Sequence, residues 1–140
     1  MALQITRAMM GKTSTGVFAY MQVSSAGAIL VASETASIDT PGAAFASRVV
    51  SAAATNLLSL RAKNVSAAVI YLHVFNAAAL PANGTAPTLK PVELAPGEEY
   101  ESSYHAPAFS TGLVLAASTT RDTLTVSGTS DLWCDTELRA

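Results

Sequence analysis

From about Leu57 to its end, the chain repeats short apolar runs that are separated by turn sequences. Within each run, apolar residues recur at every second position, which is the period of a β-strand with one buried face. Several such runs at short intervals are typical of antiparallel sandwiches and barrels. The sequence therefore predicts an all-β fold, namely a jelly-roll-like antiparallel β-sandwich of about eight or nine short strands.

Three of the runs also predict which side chains face the core. In the run at 57–63, the buried face is expected to hold Leu58, Leu60 and Ala62. In the last run, at 131–138, the buried face is expected to hold Leu132, Cys134, Thr136 and Leu138. The run at 69–75 has large side chains on both faces, so both faces need cover.

Proline and glycine mark the connections between the strands. Pro81-Ala82-Asn83-Gly84 predicts a tight turn, because Asn and Gly tolerate the positive φ angles that such turns require. Pro91 lies inside the run at 89–94, which predicts a strand at the edge of a sheet. The run at 124–126 predicts one further strand, in a hairpin that ends at Ser127-Gly128.

Residues 1–54 differ from the rest in being rich in Ala, Ser and Thr, with few large side chains. Two interpretations stay open for them: extra strands of the same sandwich, or an extended arm that becomes ordered only against partners. Residues 55–140 form the sandwich core in either case, and the chain is expected to be one domain overall.

The low charge content constrains the partners. Asp, Glu, Lys and Arg make up 13% of the chain, against about 25% in ordinary soluble domains. The net charge is −2 and no run of Lys or Arg occurs, so the sequence does not favour binding to nucleic acid.

No apolar stretch approaches the roughly 20 residues that cross a bilayer, so no membrane partner is expected either. Since half of the residues are hydrophobic, other protein chains are the expected cover for the excess apolar surface.

The sequence offers little for catalysis or cofactors. The only histidines are His73 and His105, and neither has a recognisable nucleophile or orienting group. Gly11-Lys12-Thr13 lacks the glycine that a phosphate-binding loop needs at position 6, where the chain has Thr6. The single cysteine, Cys134, excludes an internal disulfide. We therefore expect no enzyme activity and no cofactor.

A calcium ion bound by carboxylates is the one metal site that stays open. Glu98, Glu99 and Glu101 lie close together in sequence, and Asp135 and Glu137 share a strand face. The simpler interpretation of both groups is a charged rim exposed to solvent. The expected site therefore contains no metal.

Several stretches resemble a pattern in small structural proteins of tailed bacteriophages. They are residues 71–76 (YLHVFN) followed by 79–87 (ALPANGTAP), residues 109–116 (FSTGLVLA), and Asp131-Leu132-Trp133. The resemblance covers roughly residues 55–139 and implies a virion β-sandwich without catalysis, which forms homo-oligomers and binds other virion proteins. We expect a head decoration or cement protein, located in the virion after assembly in the host cytoplasm. The alternative position is in a tail or fibre.

Five side chains are expected to contact other chains. Aromatic side chains are enriched where interfaces bury most surface, which predicts Trp133, Tyr71 and Phe75 as anchors. Arg61 and Arg139 are expected to make polar interface contacts. The expected partners are copies of this chain and other virion proteins, chiefly the major capsid protein. A carbohydrate-binding or adhesin-type sandwich is the alternative from another class, and it needs exposed aromatic side chains on a flat platform.

Overall fold

The computed structural model of the chain describes residues 11–12, 18–23, 29–32, 36–103 and 107–139, and all of its regular elements are β-strands. In that part of the chain, no helix is long and apolar enough to cross a membrane. The chain divides into an N-terminal unit, Met1–Ala36, and a second unit, Ser37–Ala140. The strands are β1 (Gly11–Lys12), β2 (Phe18–Val23), β3 (Ile29–Ala32), β4 (Ala36–Asp39), β5 (Ser47–Ser51), β6 (Thr55–Asn64), β7 (Ile70–Asn76), β8 (Val92–Leu94), β9 (Glu99–Ser103), β10 (Ala108–Phe109), β11 (Leu113–Ser118) and β12 (Leu132–Arg139).

The second unit is an antiparallel β-sandwich made of two sheets. One sheet has five strands in the order β10-β6-β12-β4, with β9 also pairing with β6, and the other has four strands in the order β5-β11-β7-β8. The chain crosses from one sheet to the other between most successive strands, as in a jelly roll and unlike a simple meander. The predicted all-β antiparallel sandwich is therefore confirmed.

One apolar core fills the space between the two sheets. Leu60 and Leu132 enter it from the five-stranded sheet, and Leu72 and Leu115 enter it from the four-stranded sheet. Phe109 on β10 is the largest buried side chain of this core. Burying one such side chain contributes roughly 1.5–3 kcal/mol, so this core supplies most of the favourable energy of folding.

The predicted alternation holds on β12 and fails at one position of β6. On β12 every second residue from Leu132 to Leu138 is buried, which confirms the prediction. On β6, Leu57 is fully buried, whereas Leu58 is only partly buried. Glu137 pairs with Ser59 while the next residue of β12 pairs with Leu57, so Leu58 is the extra residue of a β-bulge. The prediction that Leu58 joins the core is therefore wrong, because the bulge brings Leu57 there.

The connections follow the proline and glycine signals with one exception. The chain turns at 81–84, where Gly84 has a φ of 93°, and β8 follows Pro91 at the edge of its sheet, as predicted. The predicted strand at 124–126 is wrong, since Val126 forms only an isolated bridge with Ser118. The backbone of Leu124 bonds instead to residues of the turn at 81–88.

The part of the Ala/Ser/Thr-rich region that follows residue 36 belongs to the sandwich. It supplies β4 to the five-stranded sheet and β5 to the four-stranded sheet. The Nε and Nη2 atoms of Arg48 donate to the two carboxylate oxygens of Asp39 at 2.9 and 2.7 Å, and this bidentate pair joins β5 to β4. The N-terminal unit has a sheet of its own, in which β2 pairs with β1 and with β3.

The outer face of the four-stranded sheet is covered by the chain itself. Phe75, Val114 and Ala116 on that face pack with Leu124, which belongs to residues 119–127, hereafter the cover segment. The sequence predicted that both faces of β7 are covered, and this is confirmed. The outer face is covered by residues of the same chain.

Candidate functional site

The outward side of the five-stranded sheet carries an ordered array of polar side chains. Successive residues of a strand point to opposite sides, so the residues between the buried positions of β6, β9 and β12 share this side. We call it the open face, and its central residues are Ser59, Arg61, Lys63, Glu99, Glu101, Trp133, Asp135, Glu137 and Arg139.

Charged residues of the open face lie opposite one another on neighbouring strands. Arg61 pairs with Glu101 on β9 and with Asp135 on β12, so one cation lies between two anions. Lys63 pairs with Glu99 on one side and with Trp133 on the other. Opposite charges at directly opposed positions stabilise a sheet, so this pattern supports the observed register.

Glu99 binds both cations of β6. Its Oε1 accepts a hydrogen bond from Lys63 Nζ at 2.9 Å, and its Oε2 accepts one from Arg61 Nη2 at 3.0 Å. The hydrogen bonds from Lys63 and Arg61 lower the pKa of the Glu99 carboxyl, and the bond to Glu99 raises the pKa of the Arg61 guanidinium. All three side chains stay about half exposed, so the cations are held in place and remain accessible to a carboxylate of another chain.

A shallow depression of about 130 Å³ lies beside these pairs, and Arg61, Glu101, Asp135 and Glu137 contribute to its lining. The Oδ1 atom of Asp135 is buried without a hydrogen-bond partner. Ile38 of β4 also lines the depression and is 74% exposed. Three carboxylates around one guanidinium make the depression acidic, so it suits a cationic or hydrogen-bond-donating side chain of another protein.

The structure brings three of the five predicted contact residues together on the open face. Arg61 is exposed there, and Trp133 and Arg139 are partly buried. Tyr71 and Phe75 lie on β7 in the other sheet, where Tyr71 is partly buried and Phe75 is 2% exposed. Phe75 packs with Leu124 of its own chain, so the prediction that another chain buries Phe75 is wrong.

Three residues of this region are missing from the contact residues predicted from the sequence. Lys63 shares the two-residue period of Arg61, which is a usable signal for the same face. Its partner Glu99 lies 36 residues further along the chain, and nothing local indicates that β9 pairs with β6. Ile38 lies in the Ala/Ser/Thr-rich region, where no run marks the position of a sheet edge.

Two of the acids considered for calcium have other roles. Glu98 Oε2 accepts a hydrogen bond from the amide of Ala95 at 2.7 Å and so closes the turn before β9, while Glu99 binds two cations. Among the residues that the structure describes, no group of three His, Cys, Asp or Glu side chains could hold a metal ion. His73 is buried on the outer face of the four-stranded sheet, beneath the cover segment, and His105 lies outside the described residues.

Cys134 is expected to be unreactive while the protein is folded. The thiol is 2% exposed, and burial, with a smaller contribution from the charge of Asp135, raises its pKa far above the usual range. Only the thiolate is nucleophilic, so we expect a disulfide reagent to label Cys134 at least about 1,000-fold more slowly in buffer than in denaturant. Absorbance of the released thiolate measures this rate, and fast labelling in buffer would contradict the burial of the thiol.

Comparison with known proteins gives no match: no family model, no curated protein and no solved structure resembles the chain closely enough to be reported. The fold class is an antiparallel β-sandwich with one outer face covered by its own chain and one outer face that presents Arg61, Trp133 and Arg139. Its function is inferred from these residues.

Proposed function

We propose that the protein is a non-enzymatic structural protein of a tailed-phage virion, specifically a decoration or cement protein that stabilises the capsid. The contrast between the two outer faces of the sandwich carries the proposal. A segment of the chain itself covers the apolar outer face of the four-stranded sheet. The open face bears a half-buried tryptophan and a set of charges paired across neighbouring strands.

The proposed partners are copies of this chain and the major capsid protein. The open face offers two ordered cations for carboxylates and an acidic depression for cationic groups, so it can meet a surface of mixed charge. On a symmetric shell each contact recurs many times, and weak contacts made together bind far more strongly than any one of them alone. Modest contacts by each subunit are therefore sufficient to stabilise a head.

Trp133 and Arg61 have distinct roles in this proposal. Trp133 lies opposite Lys63 and is only partly buried, so part of its indole remains available to a partner, and Trp is enriched among the residues that dominate interface energies. Arg61 is already oriented by Glu99, so binding a second carboxylate costs less side-chain entropy than it would for a free arginine.

The proposal predicts that open-face substitutions weaken assembly. We expect Trp133→Ala and Arg61→Glu each to weaken self-association and binding to capsids by about tenfold or more, which corresponds to about 1.4 kcal/mol per factor of ten. Lys90→Glu reverses the charge of another exposed cation, which lies outside the open face, and is expected to have little effect. Sedimentation velocity measures self-association, and cosedimentation with capsids that lack the protein measures binding.

A double variant separates contacts within the chain from contacts between chains. Lys63→Glu combined with Glu99→Lys exchanges the charges of one directly opposed pair and leaves Arg61 between Glu101 and Asp135, so this variant is expected to fold normally. It reverses charges that the open face shows to a partner, so it is still expected to bind poorly. A wild-type protein that stays monomeric at high concentration and ignores capsids would overturn the proposal. Binding to tails and not to heads would overturn the capsid assignment alone.

A further inference from the structure

His73 is a fully buried titratable group beneath the cover segment. The ring is 0% exposed, and it packs edge-on against Phe75 with 5.9 Å between the ring centroids. Its Nε2 lies 2.8 Å from the carbonyl oxygen of Arg121 in the cover segment. A carbonyl only accepts, so Nε2 carries the proton and donates it to the cover segment.

The second ring nitrogen of His73 distinguishes it from an ordinary buried histidine. Nδ1 is buried and makes no hydrogen bond. With Nε2 protonated, a neutral ring leaves only an unshared electron pair at Nδ1, which is a modest cost. A second proton would place a positive charge and a donor without a partner inside an apolar site, which is far more costly.

Few charged groups surround the ring. The cover segment contributes Arg121, whose side chain is exposed, and Asp122, whose charge acts on the imidazole. Tyr71 lies two residues before His73 on β7, and Glu93 of β8 lies opposite Tyr71 on the same face. The other neighbour of β7, β11, has no titratable side chain. The turn at 77–88 has none either. Burial outweighs the carbonyls of Arg121 and Thr120 and the charge of Asp122, so the pKa of His73 lies below its ordinary value of 6.5.

The cover segment is attached by one large apolar side chain and by several hydrogen bonds. The Ser118 hydroxyl bonds to the backbone of Thr120, Thr123 and Thr125, and the amide of Gly84 donates to the carbonyl of Leu124 at 2.7 Å. Residues 119–123 are exposed, and the first large side chain that anchors the segment is that of Leu124. The amide of Leu124 donates to the carbonyl of Thr85 at 2.8 Å, and the amide of Ser127 donates to the carbonyl of Ala117 at 2.9 Å. Segments with few buried apolar side chains, held largely by hydrogen bonds, open at a lower free energy than the sheets beneath them.

We propose that the cover segment, residues 119–127, is proton-sensitive: it is held by neutral His73 and released on acidification to expose the apolar face of Phe75, Val114 and Ala116. In the open state the imidazole of His73 is in water and has its ordinary pKa. In the closed state burial lowers this pKa, so the ring is protonated less readily. Acid therefore favours the open state. This device does not depend on the capsid assignment.

The direction of the effect follows from proton linkage. Above about pH 7.5 the imidazole is neutral in both states, so pH has no effect on the cover. As the pH falls below the ordinary value of 6.5, the open state gains a proton that the closed state lacks, and the closed state loses stability. The loss ends once the pH is below the pKa of the closed state, where both states carry the proton. One proton allows at most about a tenfold change in opening per pH unit.

Amide hydrogen exchange tests the proposal on the intact chain. After correction for intrinsic exchange, we expect the amides of Leu124 and Ser127 to exchange several-fold faster at about pH 5.5 than at about pH 7.5, up to the tenfold limit. Amides of β12 are expected to show no such change. A dye that fluoresces on apolar surfaces is expected to bind over the same pH range, because the exposed face is apolar.

Three variants identify the titrating group. His73→Gln keeps a donor for the Arg121 carbonyl and cannot titrate, so its pH response is expected to vanish. His105→Gln removes the other histidine of the chain and is expected to keep the response. Asp122→Asn, at an exposed position, removes a charge that favours the imidazolium in the closed state. It is expected to leave the onset of the response unchanged and to extend the response to lower pH, which tests His73 even if His73→Gln folds poorly. A wild-type cover that ignores pH, or a response that disappears in His105→Gln, would overturn the proposal.

Discussion

Gly112→Ala is expected to lower the free energy of unfolding by about 3 kcal/mol or more. A Cβ atom at Gly112 would lie 2.6 Å from the carbonyl oxygen of Ser51 and 2.7 Å from that of Ala77. Both contacts are with backbone atoms, which cannot rotate away as a side chain could. The φ of 156° is also one that residues with a side chain rarely adopt, so the substitution combines a clash with strain.

The neighbours of Gly112 are fixed by the sheet. Ser51 pairs with Leu113, the first residue of β11, and the amide of Ala77 donates to the carbonyl of Gly112 at 3.1 Å. Removing the clash would therefore require the backbone to shift at the end of β5 or just after β7. These two strands flank β11 in the four-stranded sheet. Gly128→Ala is a matched control, because nothing lies within 4 Å of its added Cβ. Chemical denaturation monitored by Cys134 labelling compares the two variants, and equal stabilities would contradict the close approach at Gly112.

The sequence predicted most of the core because alternation is a local property. A strand with one buried face shows its period within a few residues, and β12 is predicted correctly at every buried position. The error at Leu58 arises where this assumption fails, because a bulge adds one residue and moves the buried set by one position. Nothing in the sequence around Leu58 marks the bulge, since it depends on how β6 pairs with β12.

The contact residues were harder to predict than the core. The alternation of residues placed Phe75 on a face of β7 that must be covered, but it does not show which segment covers it. In the structure Phe75 packs with Leu124, which lies about fifty residues later in the chain. Arg61 and Trp133 lie on different strands, and they share a face only because β6 pairs with β12. The sequence therefore indicated which side chains need to be buried or contacted. The pairing of the strands determines which residues make those contacts.

Asn64→Asp is expected to destabilise the sandwich by about 3 kcal/mol or more, although the two side chains have nearly the same shape. Asn64 is 0% exposed, and its Nδ2 donates to the carbonyl oxygens of Ala68 at 2.7 Å and Leu94 at 2.9 Å. Its Oδ1 accepts from the amide and the hydroxyl of Ser66 at 2.9 and 2.8 Å. A carboxylate keeps the second pair of bonds and turns the first pair into repulsion between a buried charge and two carbonyl oxygens.

Asn83→Asp is the matched control for this substitution. Asn83 is exposed, and its Oδ1 accepts from the amide of Val126 at 3.1 Å, a bond that a carboxylate retains, so we expect a change within about 0.5 kcal/mol. The loss in Asn64→Asp is also expected to shrink as the pH falls, because a protonated carboxyl regains one donor for the carbonyls of Ala68 and Leu94. Denaturant titrations of both variants at several pH values measure these differences. A loss that is equal in the two variants, or independent of pH, would show that the Asn64 amide does not hold the end of β6 to the loop at 65–69 and to the end of β8.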